Sequence, residues 1–225
     1  MTTASTCFHL RLSQYAFVAL KHISLTTADT GAVSCYCSGM ITESYYWKKP
    51  LLTGAKFIRK YMDKEYITDA QFARIEREIF IGFYTVRKLL EATGKVSPET
   101  RDLQVSLKCY PKQNGPALVD WYNRSEFWEL YDLADGRSEQ RDLLYVAHQM
   151  VHSFIFVLSG DDDGHGAFFT SDRDKKTRLS FITTSEIARI FEIVGNDYPS
   201  GFNAWRDPDT GEMKWAVSPR KGSAA

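Results

Sequence analysis

Between residues 138 and 193 a helical pattern runs into three short strand-like segments at hairpin spacing and then into a second helical pattern. Only an antiparallel sheet with helices packed on it satisfies that order. Ser138 is placed to cap the first of these helices, which carries Leu144, Tyr145, Met150 and Val151. Residues 153–158 are β-rich and apolar on both faces, the composition of a central strand. Residues 160–166 read as a hairpin loop, and 166–172 and 177–183 as two further strands joined by the charged turn 173–176. Thr184 caps a final helix with Ile187, Ile190, Phe191 and Val194 on one face. Centring the first hairpin on residue 162 places Ser171 opposite Ser153 and Asp172 opposite His152.

The first half is helical. Pro50 suits the first turn of a helix whose apolar positions are Leu51, Leu52, Ala55, Ile58 and Met62. Thr68 and Gln71 form a capping-box pattern ahead of the stripe Phe72, Ile75, Ile79, Phe83, Val86 and Leu90, and Gly94 sits where a C′ glycine belongs. A helix of about 26 residues, roughly 39 Å long, is the expected central element. Residues 103–110 alternate as a strand, 127–131 read as a short helix, and 205–215 as a small hairpin with Asp207, Pro208, Asp209, Thr210 and Gly211 at its turn. The expected fold is therefore α+β. It has a long central helix in a helical first half, a three-stranded antiparallel meander flanked by helices, and a C-terminal hairpin.

At 225 residues, with 44% hydrophobic and 14% aromatic side chains, the chain is long enough for one substantial core. Its 28 basic and 28 acidic residues cancel, so no global field favours nucleic acid or an anionic membrane. Three of the four cysteines, Cys7, Cys35 and Cys37, fall at the start of the chain, far from Cys109; that distribution excludes a disulfide framework and implies a reducing, cytoplasmic setting. No apolar run approaches the roughly 20 residues of a membrane span. Residues 1–39 carry only Arg11, Lys21 and Asp29 as formal charges. Two readings of them stand: upstream sequence ahead of a start at Met40, or an edge strand over 16–23 docked on the core. The expected organisation is an atypical segment 1–39, a single α+β domain 40–198, a hairpin appendage 199–218 and a disordered tail 219–225.

His148 and His152 lie one helical turn apart and can converge on a cation. The residue after His148 is Gln149, where a zincin helix needs glutamate. A third ligand from Asp161, Asp162, Asp163 or His165 would lie on the order of 20 Å away along an extended strand. Asp172, brought back by the hairpin, is the better third ligand, and two histidines with one carboxylate suit zinc or non-haem iron. The competing reading is structural: His152 at a helix C-terminus and His148 bonded to backbone. Six basic residues over 48–64 interleave with Trp47, Phe57 and Tyr61, so Lys56, Arg59 and Lys60 form a candidate nucleic-acid surface. Cys109 reads as a small core residue. The phosphate loop, the dinucleotide fingerprint and the nucleophile elbow are absent, so no nucleotide cofactor is expected.

The leading expectation is a small intracellular binding or regulatory module, engaging a protein partner or itself through Tyr198, Phe202, Trp205 and Trp215. The alternative is a metal-dependent hydrolase or oxygenase using His148, His152 and Asp172. The third is nucleic-acid binding through the basic helix face.

Overall fold

The computed structural model describes residues 41–61, 64, 66–115, 117–161 and 164–219. The expectations for 1–39, for Asp162 and Asp163 and for the tail beyond 219 lie outside the described residues. The elements in chain order are α1 (Tyr45–Tyr61), α2 (Asp69–Glu91), α3 (Pro98–Arg101), β1 (Gln104–Pro111), α4 (Phe127–Leu130), β2 (Arg137–Asp142), α5 (Leu143–Val151), β3 (Ser153–Asp161), β4 (Gly164–Ser171), β5 (Arg178–Thr183), α6 (Thr184–Gly195), β6 (Phe202–Arg206) and β7 (Met213–Val217). The protein is α+β, with a five-stranded antiparallel sheet in the order β2-β1-β5-β4-β3 and a separate β6-β7 hairpin.

The long helix forms as its sequence dictates. Thr68 Oγ1 accepts from the Gln71 N–H at 3.3 Å and Gln71 Oε1 accepts from the Thr68 N–H at 2.9 Å, so two otherwise orphaned donors are satisfied reciprocally. Ile75, Ile79, Phe83, Val86, Leu89 and Leu90 then bury one face of the helix. It spans 23 residues and ends at Ala92, two residues before Gly94 takes its positive φ of 74°. α1 begins a turn earlier than Pro50 implies: the Ser44 carbonyl accepts from Trp47 and Lys48 N–H, and Pro50 lies inside the helix. Burial of Leu51, Ala55 and Ile58 against the neighbouring helices compensates the missing proline donor.

Both sheet faces are covered. Val105, Leu107, Cys109, Ala167, Phe169 and Ile182 face the helices, while Tyr110, Phe168, Leu179 and Phe181 face a second cluster built from Val119, Phe127, Leu130 and Tyr131. Covering both faces accounts for the apolar runs in β3 and β5.

The structure corrects three sequence expectations here. Residues 137–142 form strand β2 and not the start of a helix; α5 begins at Leu143, with Asp142 at its N-cap. Among the described strands β2 pairs only with β1, and its side chains are polar or charged and exposed or half-buried, so it has no apolar alternation to announce it. Among the described strands β3 is an outermost one, although its composition is that of a central one. Its pairing with β4 begins at Ser153↔Ser171 as the hairpin register predicts, then slips by one residue at a bulge, so that Ile155 faces Thr170.

Candidate functional site

The C-terminal hairpin is held firmly at its turn and left open along its strands. Asp207 Oδ1 accepts from the N–H groups of Asp209 at 2.9 Å and Thr210 at 3.0 Å, its other oxygen pairs with Lys214, and Gly211 supplies the positive φ of 71°. Lys214, with those backbone donors, holds the Asp207 carboxyl down at about 2. At its root Ser200 and Ser218 bond to the backbone of Pro219 and Gly201. The Phe202 ring lies against Gly94, where a Cβ would meet it at 2.6 Å.

The register Phe202↔Val217, Ala204↔Trp215, Arg206↔Met213 assigns these six side chains to one face, because opposed residues share a side. Asn203↔Ala216 and Trp205↔Lys214 fall on the other. Five of the six positions on the first face are apolar. Beyond its root that face is solvent-exposed, with Trp215 at 55% and Met213 at 48%. An isolated two-stranded hairpin is marginal in water, so an uncovered apolar face on one is costly. Trp205 and Trp215, grouped together by sequence, point to opposite sides; Met213 and Val217, which sequence reading passed over, join Phe202 and Trp215. Period-2 alternation on either side of the Asp207 turn is the signal that identifies them.

Tyr198 belongs to another structure. Lys48 is fully buried; its Nζ lies 4.5 Å from the Tyr198 ring centroid and donates to the carbonyls of Lys95, at 2.6 Å, and Asp197. Asp197 is buried too: its Oδ2 accepts from the Ser97 N–H at 2.7 Å, and Oδ1 has no partner among the described residues. Burial lowers the Lys48 ammonium to about 8, against the opposing pull of Asp197. This tie joins α1, the loop after α2 and the end of α6, directly before the hairpin. The sequence offers no sign of it, since Lys48 sits in a basic run that otherwise reads as solvated.

The histidine pair faces α2. The rings of His148 and His152 are 6.4 Å apart between centroids. Arg87 Nη1 lies 2.9 Å from His152 Nε2, and because guanidinium only donates, that nitrogen is the acceptor of the pair. His148 Nε2 lies 3.5 Å from Glu91 Oε1, and burial, with the Arg87 charge, lowers its pKa. Asp172, expected beside the imidazoles, instead accepts from Lys175 at 2.7 Å. The His148, His152 and Asp172 set is therefore not assembled: one imidazole lone pair is taken by a guanidinium and the carboxylate by an ammonium. Among the described residues no group of three His, Cys, Asp or Glu side chains is placed to hold a metal ion.

On the basic face of α1, Arg59 pairs bidentately with Glu192 of α6 at 3.1 and 2.9 Å, and Lys60 Nζ stands 5.1 Å from the Tyr61 ring centroid. Lys56 is exposed. Cys109 is a buried core thiol, 3.7 Å from Ser180 Oγ, its pKa raised by burial. No described helix is long and apolar enough to cross a membrane. No family model, curated protein or solved structure matches the chain. The architecture and the hairpin thus stand on their own geometry.

Proposed function

We propose that the protein is a binding module that docks a protein partner on the Phe202, Ala204, Met213, Trp215 and Val217 face of its C-terminal hairpin. The observation that carries this reading is the pairing of a tightly built turn and root with an apolar face open to solvent. A partner that covers this face removes large aromatic and thioether surface from water, the chemistry that dominates protein interfaces. Arg206, on the same face, supplies a rim charge that orients the encounter.

The test is co-purification from native host extract of the full chain, of Met213→Ser/Trp215→Ser and of Trp205→Ser. The reading expects one protein retained in stoichiometric amount by the wild type and by Trp205→Ser, and lost from the double variant with its helical and sheet signal unchanged. Equal retention by all three chains, or none by the wild type, contradicts it.

A further inference from the structure

The two edges of the main sheet are built on opposite principles. β2 carries Arg137, Glu139, Arg141 and Asp142, four charges in six residues, which is how a sheet edge is kept from pairing with another chain. β3 is longer, at nine residues, and residues 153–160 hold neither charge nor proline. Its one bulge lies at the Ser153 end. A strand with a central strand's composition occupies an outer position, with β4 as its single described neighbour. Alongside lies a groove of about 420 Å³ walled by Phe80, Phe156, Val157, Glu76 and Arg124. Phe154, Phe156 and Val157 stay half-buried there, as does Leu158 further along the strand.

We propose that β3 is the self-association surface of this protein, pairing antiparallel with β3 of a second copy about a two-fold axis near Val157 to make one continuous ten-stranded sheet. A strand edge with no partner among the described residues is open to pairing with another extended strand. Among the described strands only β3 itself offers an uncharged outer edge of that length: β2 is charged, and β6 and β7 have five residues each. A two-fold axis normal to the sheet keeps like faces together, so Phe156 and Leu158 of both copies share the helix-covered side, and Phe156 of each copy brings its groove to the seam.

The charge distribution selects the antiparallel sense. Arg124 stands at the start of β3, its guanidinium 5.9 Å from the Phe154 ring centroid, whereas Arg87 and Lys175 at the same end are paired with Glu91 and Asp172. α2 runs past β3 from its far end, with Phe80 stacked on Phe156 and Arg87 reaching His152. Glu76, one turn before Phe80, therefore stands towards the far end, where the strand finishes at Asp161, its only charged residue. Antiparallel pairing centred on Val157 sets Ser153 opposite residue 161 of the second copy, so the Arg124 end of each copy meets the Asp161 end of the other.

Sedimentation velocity of the full chain tests this at micromolar concentration. The wild type is expected at twice the chain mass. Ser159→Lys, at an exposed position of β3, is expected to convert it to monomer with an unchanged circular dichroism spectrum. Asp161→Lys is expected to weaken the dimer by about tenfold, and Arg124→Glu added to it to restore most of that loss. A monomeric wild type overturns the proposal, as does a dimer that Ser159→Lys leaves intact. The surface is separate from the hairpin, so Met213→Ser/Trp215→Ser dimerises as the wild type does, and failure of one proposal leaves the other standing.

Discussion

The Phe191 ring of α6 lies so close to Gly82 of α2 that a Cβ there would sit 2.1 Å from Cζ. The two helices meet at a residue without a side chain, and Phe83 adds an edge-on contact with the same ring at 5.3 Å. Gly82→Ala raises helix propensity by about 1 kcal/mol, yet overpacking at a fully buried ring costs more. The expected result is a net loss of about 1 kcal/mol in urea unfolding, with the aromatic near-ultraviolet signal altered.

Lys48 makes stability rise with pH in a defined window. Its folded value of about 8 lies below the ordinary 10.5, so between those values the unfolded chain binds more protons and raising the pH favours folding. From pH 7.5 to 9.5 this amounts to about 2 kcal/mol, absent from Lys48→Met. Burial raises the Tyr145 hydroxyl to about 12 and also raises Tyr131 and Tyr198, which costs stability once unfolded tyrosines ionise above about pH 10. That loss is common to both chains, so the difference between their unfolding free energies isolates the lysine.

Acid acts at the α2–α5 contact through two groups of the same sign. Arg87 and then Lys88 hold the Glu91 carboxyl at about 2, so its contribution is complete above 4.5 and is lost as the pH falls towards 2. His148 is held below 6.5, so its neutral form is favoured and a penalty appears as the pH falls through 6.5. His148→Gln is expected to flatten the upper part of the acid limb and leave the lower part unchanged. Proton NMR of the wild type should place the His148 midpoint below 6.5.

The hairpin strands are expected to exchange early in the purified chain. Amides of β6 and β7 are held by one partner strand and exposed on both faces, whereas β5 lies between β1 and β4 under two apolar clusters. Hydrogen exchange read by mass spectrometry should show 202–217 exchanging orders of magnitude faster than 178–183. Gly94→Ala, at a φ of +74° and against the Phe202 ring, should quicken that exchange further by loosening the root.

Where a local rule coincides with burial, this fold is legible in its sequence. Thr68 and Gln71 announce α2, Val105 and Leu107 announce β1, and a hairpin centre read from loop residues puts Ser171 opposite Ser153. What stays hidden depends on partners distant along the chain. β2 is polar because it is an edge, the one-residue slip before Ile155 has no turn residue to mark it, and the apolar composition of β3 describes its faces and not its place in the sheet. The histidine pair shows the same limit. Spacing places the rings on one helix turn, but Arg87, 65 residues from His152, decides what they face.

The most direct measurement of the hairpin's role is a photo-crosslink in the native host, with the reactive group carried at position 215 in one chain and at position 203 in another. The two positions lie on opposite faces of one ribbon, and both are exposed. A covalent adduct with one discrete protein from 215, and none from 203, is the predicted outcome. Adducts of equal yield from both positions, or none from 215, contradict a partner docked on the Phe202, Met213 and Trp215 face.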